Sequence, residues 1–311
     1  MGTPDASIAP AVAINTRPGD RLVTDANQLG PLADLVGTWV GNGFNLISLP
    51  DFDKHPPSTG PKEFRLKLNN TRELLEFVPI GGTVPNRGAF AVPGGPAGQD
   101  DIGINGLDYL QRVWDSVTNQ AMHNEPGQWL NVEGSKVNPV QPKNTLVRLG
   151  SIPHGNALLA QSTFFTPHPI SGGPDIQPVD STPVKKGGGA LPLGYLDPFL
   201  NPQLPPGIPS PWVKNPNQAL LDEIARQEAE GQKIVETIVI VISTVPDGSV
   251  LNIPFLVKNA NVAQLDAIFW IETVKQPDGS KFLQLQYTQT VILDFLGVLW
   301  PHISVATLIK Q

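Results

Sequence analysis

Apolar and polar residues alternate along much of this chain with the two-residue period of β-strands. In "EFRLKLNN", Phe64, Leu66 and Leu68 point one way and Arg65 and Lys67 the other, which predicts a half-buried strand paired with the following "TRELLEFVPI". "LDYLQRVWDSV", "QAMHNEPGQWLNV", "TLVRLGSI" and "NALLAQSTFF" continue the series, each bounded by turn residues rather than helix caps. The C-terminal third repeats the pattern in "KIVETIVIVISTV", "SVLNIPFLV", "LDAIFWIETV" and "KFLQLQYTQTVIL", with "KQPDGSK" as a hairpin turn. In the last of these, Leu283, Leu285, Tyr287 and Val291 oppose Gln284, Gln286 and Thr288. Successive antiparallel strands with one polar face predict an all-β fold, an antiparallel up-and-down β-barrel.

Breaks in the alternation set the organisation. Residues 1–30 are polar and unpatterned and read as an arm, leaving 31–311 as one barrel domain. Gly37, Gly41 and Gly43 punctuate the strand around Trp39 and predict a bend or a close backbone approach, as at a barrel corner. "GGTVPNRGAFAVPGGPAGQDD" is a long loop. Residues 166–232 form an insertion, a Pro/Gly-rich loop whose Leu, Tyr, Phe and Trp pack on the body, followed by a short helix at 217–230. Asn217 is its expected N-cap, Leu220, Leu221, Ile224 and Ala225 share one side, and Gly231 ends it.

Composition narrows the function classes. The 33 prolines and 30 glycines favour turns and ordered loops over a helical bundle. A net charge of -7 without a basic run gives no footprint for nucleic acid. The absence of cysteine excludes thiolate ligands and nucleophiles, so any metal rests on His, Asp or Glu. The N-terminus lacks a signal-peptide pattern, and "IVETIVIVISTV", interrupted by Glu236, is far short of the roughly 20 residues of a membrane helix. The expectation is a cytoplasmic protein with no membrane partner. Phosphate loops, dinucleotide fingerprints, nucleophile elbows and "HExxH" are all missing from the sequence, which points to a pocket rather than a motif.

Candidate chemistry therefore centres on five histidines. His302 sits in the terminal strand "FLGVLWPHISVATLIKQ", on one face with Ser304, Ala306 and Leu308. It reads either as an inward ligand or as a strand-start histidine satisfied locally. His123 shares a face with Glu125, and His154 lies in the turn "SIPHGN", either at a hairpin tip or facing a cavity mouth. His55 and His168 fall in Pro-rich loops and read as surface residues, while Asp100 and Asp101 make a poor cation site.

Three segments in order resemble the nitrobindin-like proteins, small heme-binding β-barrels shaped like lipocalins and fatty-acid-binding proteins. "PLADLVGTWVGNG" is similar to their "GTWxGxG" opening, "AMHNEPGQWL" to their central "HxExG" strand, and "PHISVATLIK" to the terminal strand whose histidine ligates heme iron. The resemblance covers about half of the chain, which is longer, with insertions at about residues 50–60, 85–105 and 166–232. It implies a ferric heme b, with His302 as iron ligand and His123 as distal hydrogen-bond donor. By the same resemblance Ser304 and Ala306 leave space for the macrocycle, and Thr38 and Trp39 line the pocket floor; Arg148, Arg87 and Arg112 are candidates to meet a heme propionate or a substrate carboxylate through a bidentate contact. His154 joins His123 as a catalytic candidate if the turn faces the mouth. The implied chemistry is that of nitric oxide, peroxynitrite or peroxide, or a peroxidase-like reaction on a small organic substrate. The alternative is a metal-free, lipocalin-like barrel that binds, cyclises or isomerises a hydrophobic small molecule. A purely structural protein without a cavity is the third reading. The insertion reads as a lid or as a homodimer contact.

Overall fold

The computed structural model describes residues 28–51, 63–95, 97–136, 140 and 145–311. The arm to residue 27, most of the 50–60 insertion and His55 lie outside them. Ten long strands carry the fold: β1 (Gly37–Pro50), β2 (Phe64–Pro79), β3 (Ile102–Asp115), β4 (Ala121–Val132), β5 (Thr145–Ile152), β6 (Asn156–Phe165), β7 (Lys233–Ser243), β8 (Asn261–Lys275), β9 (Lys281–Phe295) and β10 (Val298–Lys310). Each pairs antiparallel with its neighbours in chain order. The ring closes where β10 returns to β1, with Asn45 opposite Ser304. It is a closed up-and-down barrel, so none of these strands is left as a bare edge. Segment 166–232 leaves between β6 and β7 without breaking the ring, because Ile240 still pairs with Phe165.

Two glycines of the opening motif serve the closure. A Cβ on Gly41 would stand 2.0 Å from the Thr307 carbonyl oxygen, and one on Gly43 would stand 2.2 Å from that of Val305. Any side chain there would push β1 off β10, the close approach expected of glycines within a strand.

The outer wall of β1, β9 and β10 is covered. Tyr195 of the insertion packs its ring 5.2 Å from Phe64 and 5.7 Å from Trp300, and Trp212 meets Phe44 edge-on at 5.5 Å. Helix α1 (Gln218–Ala229) lies across β9 and buries Leu220 and Gln227. Gln284, Gln286 and Thr288 therefore do not form the solvent-facing side that alternation alone implied. All three are buried; Gln227 donates to Gln284, and Thr288 donates to Asn217 Oδ1 at 2.6 Å. Asn217 itself makes no side-chain cap: its amide donates to the Gln177 carbonyl, so it ties the helix start to the strand and the loop.

At one end the barrel is filled. The turn Gly30–Leu35 buries Leu32 and Leu35, and Trp39 Nε1 donates to the Leu35 carbonyl at 2.7 Å. Inside, Phe77, Tyr109, Trp129 and Phe269 pack as an aromatic plug, with Trp129 edge-on to Phe269 at 5.1 Å. Such rings supply much of a core's buried apolar area.

Candidate functional site

Beyond the plug the barrel interior opens into a cavity of about 580 Å³. That lies inside the range of roughly 300–1,000 Å³ typical of small-molecule sites. Apolar side chains, Ile47, Val113, Leu158, Leu265, Val291 and Leu293 among them, supply most of its surface, and polar ones such as Lys67, Asn69, Asp115 and Gln120 also line it. Helix α2 (Pro254–Asn259) contributes Phe255 and Leu256. His302, His123 and His154, distant in sequence, line this one cavity.

His302 points inward with Ser304. Its Nε2–H donates to Asn45 Oδ1 at 2.8 Å, and Ser304 Oγ donates to the same oxygen at 2.9 Å. The strand pairing that sets Asn45 opposite Ser304 builds this trio. Burial, with His123 and His154 nearby, holds the imidazole down to about 3, so it is neutral at physiological pH. The opposite ring nitrogen carries the lone pair and has no hydrogen-bond partner among the described residues.

His123, Glu125 and Gly127 fall on the inner face of β4, which accounts physically for the "HxExG" spacing. His123 Nε2 donates to Glu125 Oε2 at 3.0 Å. Glu125 is fully buried, and its other oxygen takes the Arg148 guanidinium at 2.6 Å and the Tyr109 hydroxyl. Burial alone would raise the Glu125 carboxyl; Arg148 foremost, with His123 and Tyr109, brings it down to about 2. Gly127 makes room for the Tyr109 ring, since a Cβ there would lie 2.6 Å from Cε1. His154 sits in the turn between β5 and β6 with its ring 6.0 Å from that of His123, and burial and His123 lower it.

Arg148 is not a contact for a ligand's carboxylate. It lies below the cavity, buried among the rings of Tyr109, Trp129 and Phe269, and donates to Glu125, to Tyr109 at 3.1 Å and to Gln289 at 2.8 Å. Its charge is met by Glu125. Thr38 and Trp39 do not line the pocket floor either. Trp39 pairs with Lys310, six residues of extended chain from Asn45, or roughly 20 Å away at the plugged end. Ala306 is buried beside Tyr287 in the register and leaves no space of its own in the cavity. Arg112 faces outward to Glu76 at 3.1 Å, and Arg87, Asp100, Asp101 and His168 are exposed.

The floor is made by Tyr287, which the alternation set on an apolar face, together with residues that it did not single out. Glu73, fully buried, takes the Tyr287 hydroxyl on both oxygens at 2.8 and 2.7 Å, Gln111 Nε2 at 3.2 Å and Thr71 Oγ1 at 3.4 Å. Gln111 also donates to Tyr287 Oη at 3.0 Å. Burial raises Glu73 above the ordinary carboxylate range, the hydrogen bonds opposing it only in part. One signal was present in the sequence: Glu73 shares the strand face of Leu75 and Phe77, which are core residues.

No family model and no curated protein matches the chain. Among solved structures it is similar to one described as "Crystal Structure of Rv2717c from M. tuberculosis", at 15% identity over 90% of this chain and 94% of that one, with a TM-score of 0.40. That likeness is too distant to bear on chemistry.

Proposed function

We propose that the barrel binds heme in its cavity with His302 as the iron ligand. The observation that carries this reading is the state of His302. A neutral imidazole in a cavity wall, its Nε2–H committed to Asn45, leaves the other ring nitrogen free to coordinate. A ligating histidine characteristically donates its second nitrogen to an oriented acceptor, and Asn45, itself held by Ser304, is such an acceptor. The donor set thus fits the group, and the three segments similar to nitrobindin-like proteins support the same assignment.

Bound there, ferric heme would supply an iron that takes nitric oxide and reacts with peroxide or peroxynitrite. The chain's own residues have other tasks. Asn45 fixes the ring and tautomer of His302. His123, turned by Glu125, keeps one ring nitrogen for a proton exchanged in the cavity. The apolar part of the wall excludes water.

Hemin titrated into the protein tests the reading. Equimolar uptake with a Soret band that is lost or displaced in His302→Ala, and retained in His123→Ala, is the expected result. No stoichiometric uptake, or an unchanged spectrum in His302→Ala, removes it. A second reading keeps the cavity and dispenses with the metal, as a carrier or isomerase of a hydrophobic molecule. The polar floor favours it, because ligation by His302 makes no use of Glu73, Gln111 or Tyr287.

A further inference from the structure

The floor holds a carboxyl that hydrogen-bonds no basic side chain among the described residues, His123 acting on it only through space. Among the described residues Glu73 has no ion pair, and the guanidinium of the tier below is committed to Glu125. The groups that reach Glu73 are neutral donors already in use. The single Tyr287 proton is shared between the two carboxyl oxygens, the Gln111 amide is divided between Glu73 and Tyr287, and the Thr71 contact is long. A carboxylate offers about four acceptor positions. What the cluster presents to the cavity is therefore acceptor capacity, under a largely apolar wall.

We propose that the cavity takes an apolar molecule through a hydrogen-bond-donating head group, a hydroxyl or an ammonium, seated on Glu73. Thr71, Gln111 and Tyr287 hold the carboxyl in place, and Glu73 turns away ligands with an anionic head. A ligand's O–H or N–H adds a donor to the carboxyl oxygens that the neutral groups around Glu73 leave under-supplied. This goes beyond the heme reading and rests only on the cavity. Hemin and such a ligand would compete for one space.

The test is a fluorescence titration of the full chain with naphthalene probes that differ only in the head. 2-Naphthol and 2-naphthylmethylammonium are expected to bind about tenfold or more tightly than 2-methylnaphthalene, the ratio that one hydrogen bond to a charged acceptor supplies. 2-Methoxynaphthalene and 2-naphthoate gain nothing over the methyl compound. Glu73→Met abolishes both preferences. Glu73→Gln keeps part of the naphthol preference and loses that for the ammonium. Unchanged affinity for 2-methylnaphthalene in both variants shows that the cavity still folds. Equal binding of naphthol and methylnaphthalene by the parent overturns the proposal, as do a preference for naphthoate, a preference that survives Glu73→Met, and failure of every probe to bind. Hemin that binds but does not displace naphthol counts against heme in the cavity and leaves this assignment standing.

Discussion

Replacing Glu272 by glutamine should free the protein from a loss of stability in alkali. Glu272 is fully buried on the outer face of β8, beneath α1, where Gln284 Nε2 donates to one carboxyl oxygen at 2.7 Å. The other oxygen has no partner among the described residues, nor have the buried Oε1 atoms of Gln227 and Gln286. Burial pushes this carboxyl from 4.5 up to about 8. The folded chain keeps the proton that the unfolded chain releases, so the associated stability is whole below pH 4.5 and is lost as pH rises through 8. At about 1.4 kcal/mol per pH unit, the loss between pH 5 and pH 9 amounts to about 4 kcal/mol. Glutamine has the same shape, cannot ionise, and brings an N–H to a region short of donors. Urea unfolding of parent and Glu272→Gln at both pH values measures the effect, since groups common to the two proteins cancel. The variant should gain about 4 kcal/mol on the parent between pH 5 and pH 9. Parallel pH profiles would mean that the carboxyl is ionised or hydrated under the helix and would refute the reasoning.

Two other perturbations follow from the buried charges. Arg148→Met leaves Glu125 without its cation and should cost about 3–5 kcal/mol. Adding Glu125→Gln should return a large part of that, so a double-mutant cycle in urea should show strong coupling, and additive costs would contradict the pairing. His302, held near 3 when folded against its ordinary 6.5, is neutral where the unfolded chain takes a proton. Stability should fall as pH drops from 6.5 toward 3. His302→Leu should flatten that part of the pH profile, and an acid slope equal to the parent's would place the imidazole in contact with water.

The barrel was legible in the sequence because alternation with turn chemistry is a local signal, and β2, β4 and β9 each carry it within a few residues. His302, His123 and His154 could be named for the same reason: a rare polar group in a patterned strand or tight turn stands out. What local pattern does not encode is height along the barrel. Trp39 and Asn45 belong to one strand, yet the register places the first at the plug and the second at the cavity. Arg148 carries no local sign that Glu125, on the neighbouring strand, claims its charge. Glu73 and Tyr287 are 214 residues apart and meet across the barrel interior, so their cluster exists only in the closed ring. Burial of Gln284 and Gln286 likewise depends on α1, which arrives from the insertion.

The assignment of His302 as iron ligand is tested most directly by removing the ring and returning it in solution. Hemin added to His302→Gly should give a spectrum unlike the parent's, and free imidazole should restore the parent spectrum saturably. If His302→Gly holds hemin with the parent spectrum, or if imidazole restores nothing, the iron is not bound through His302.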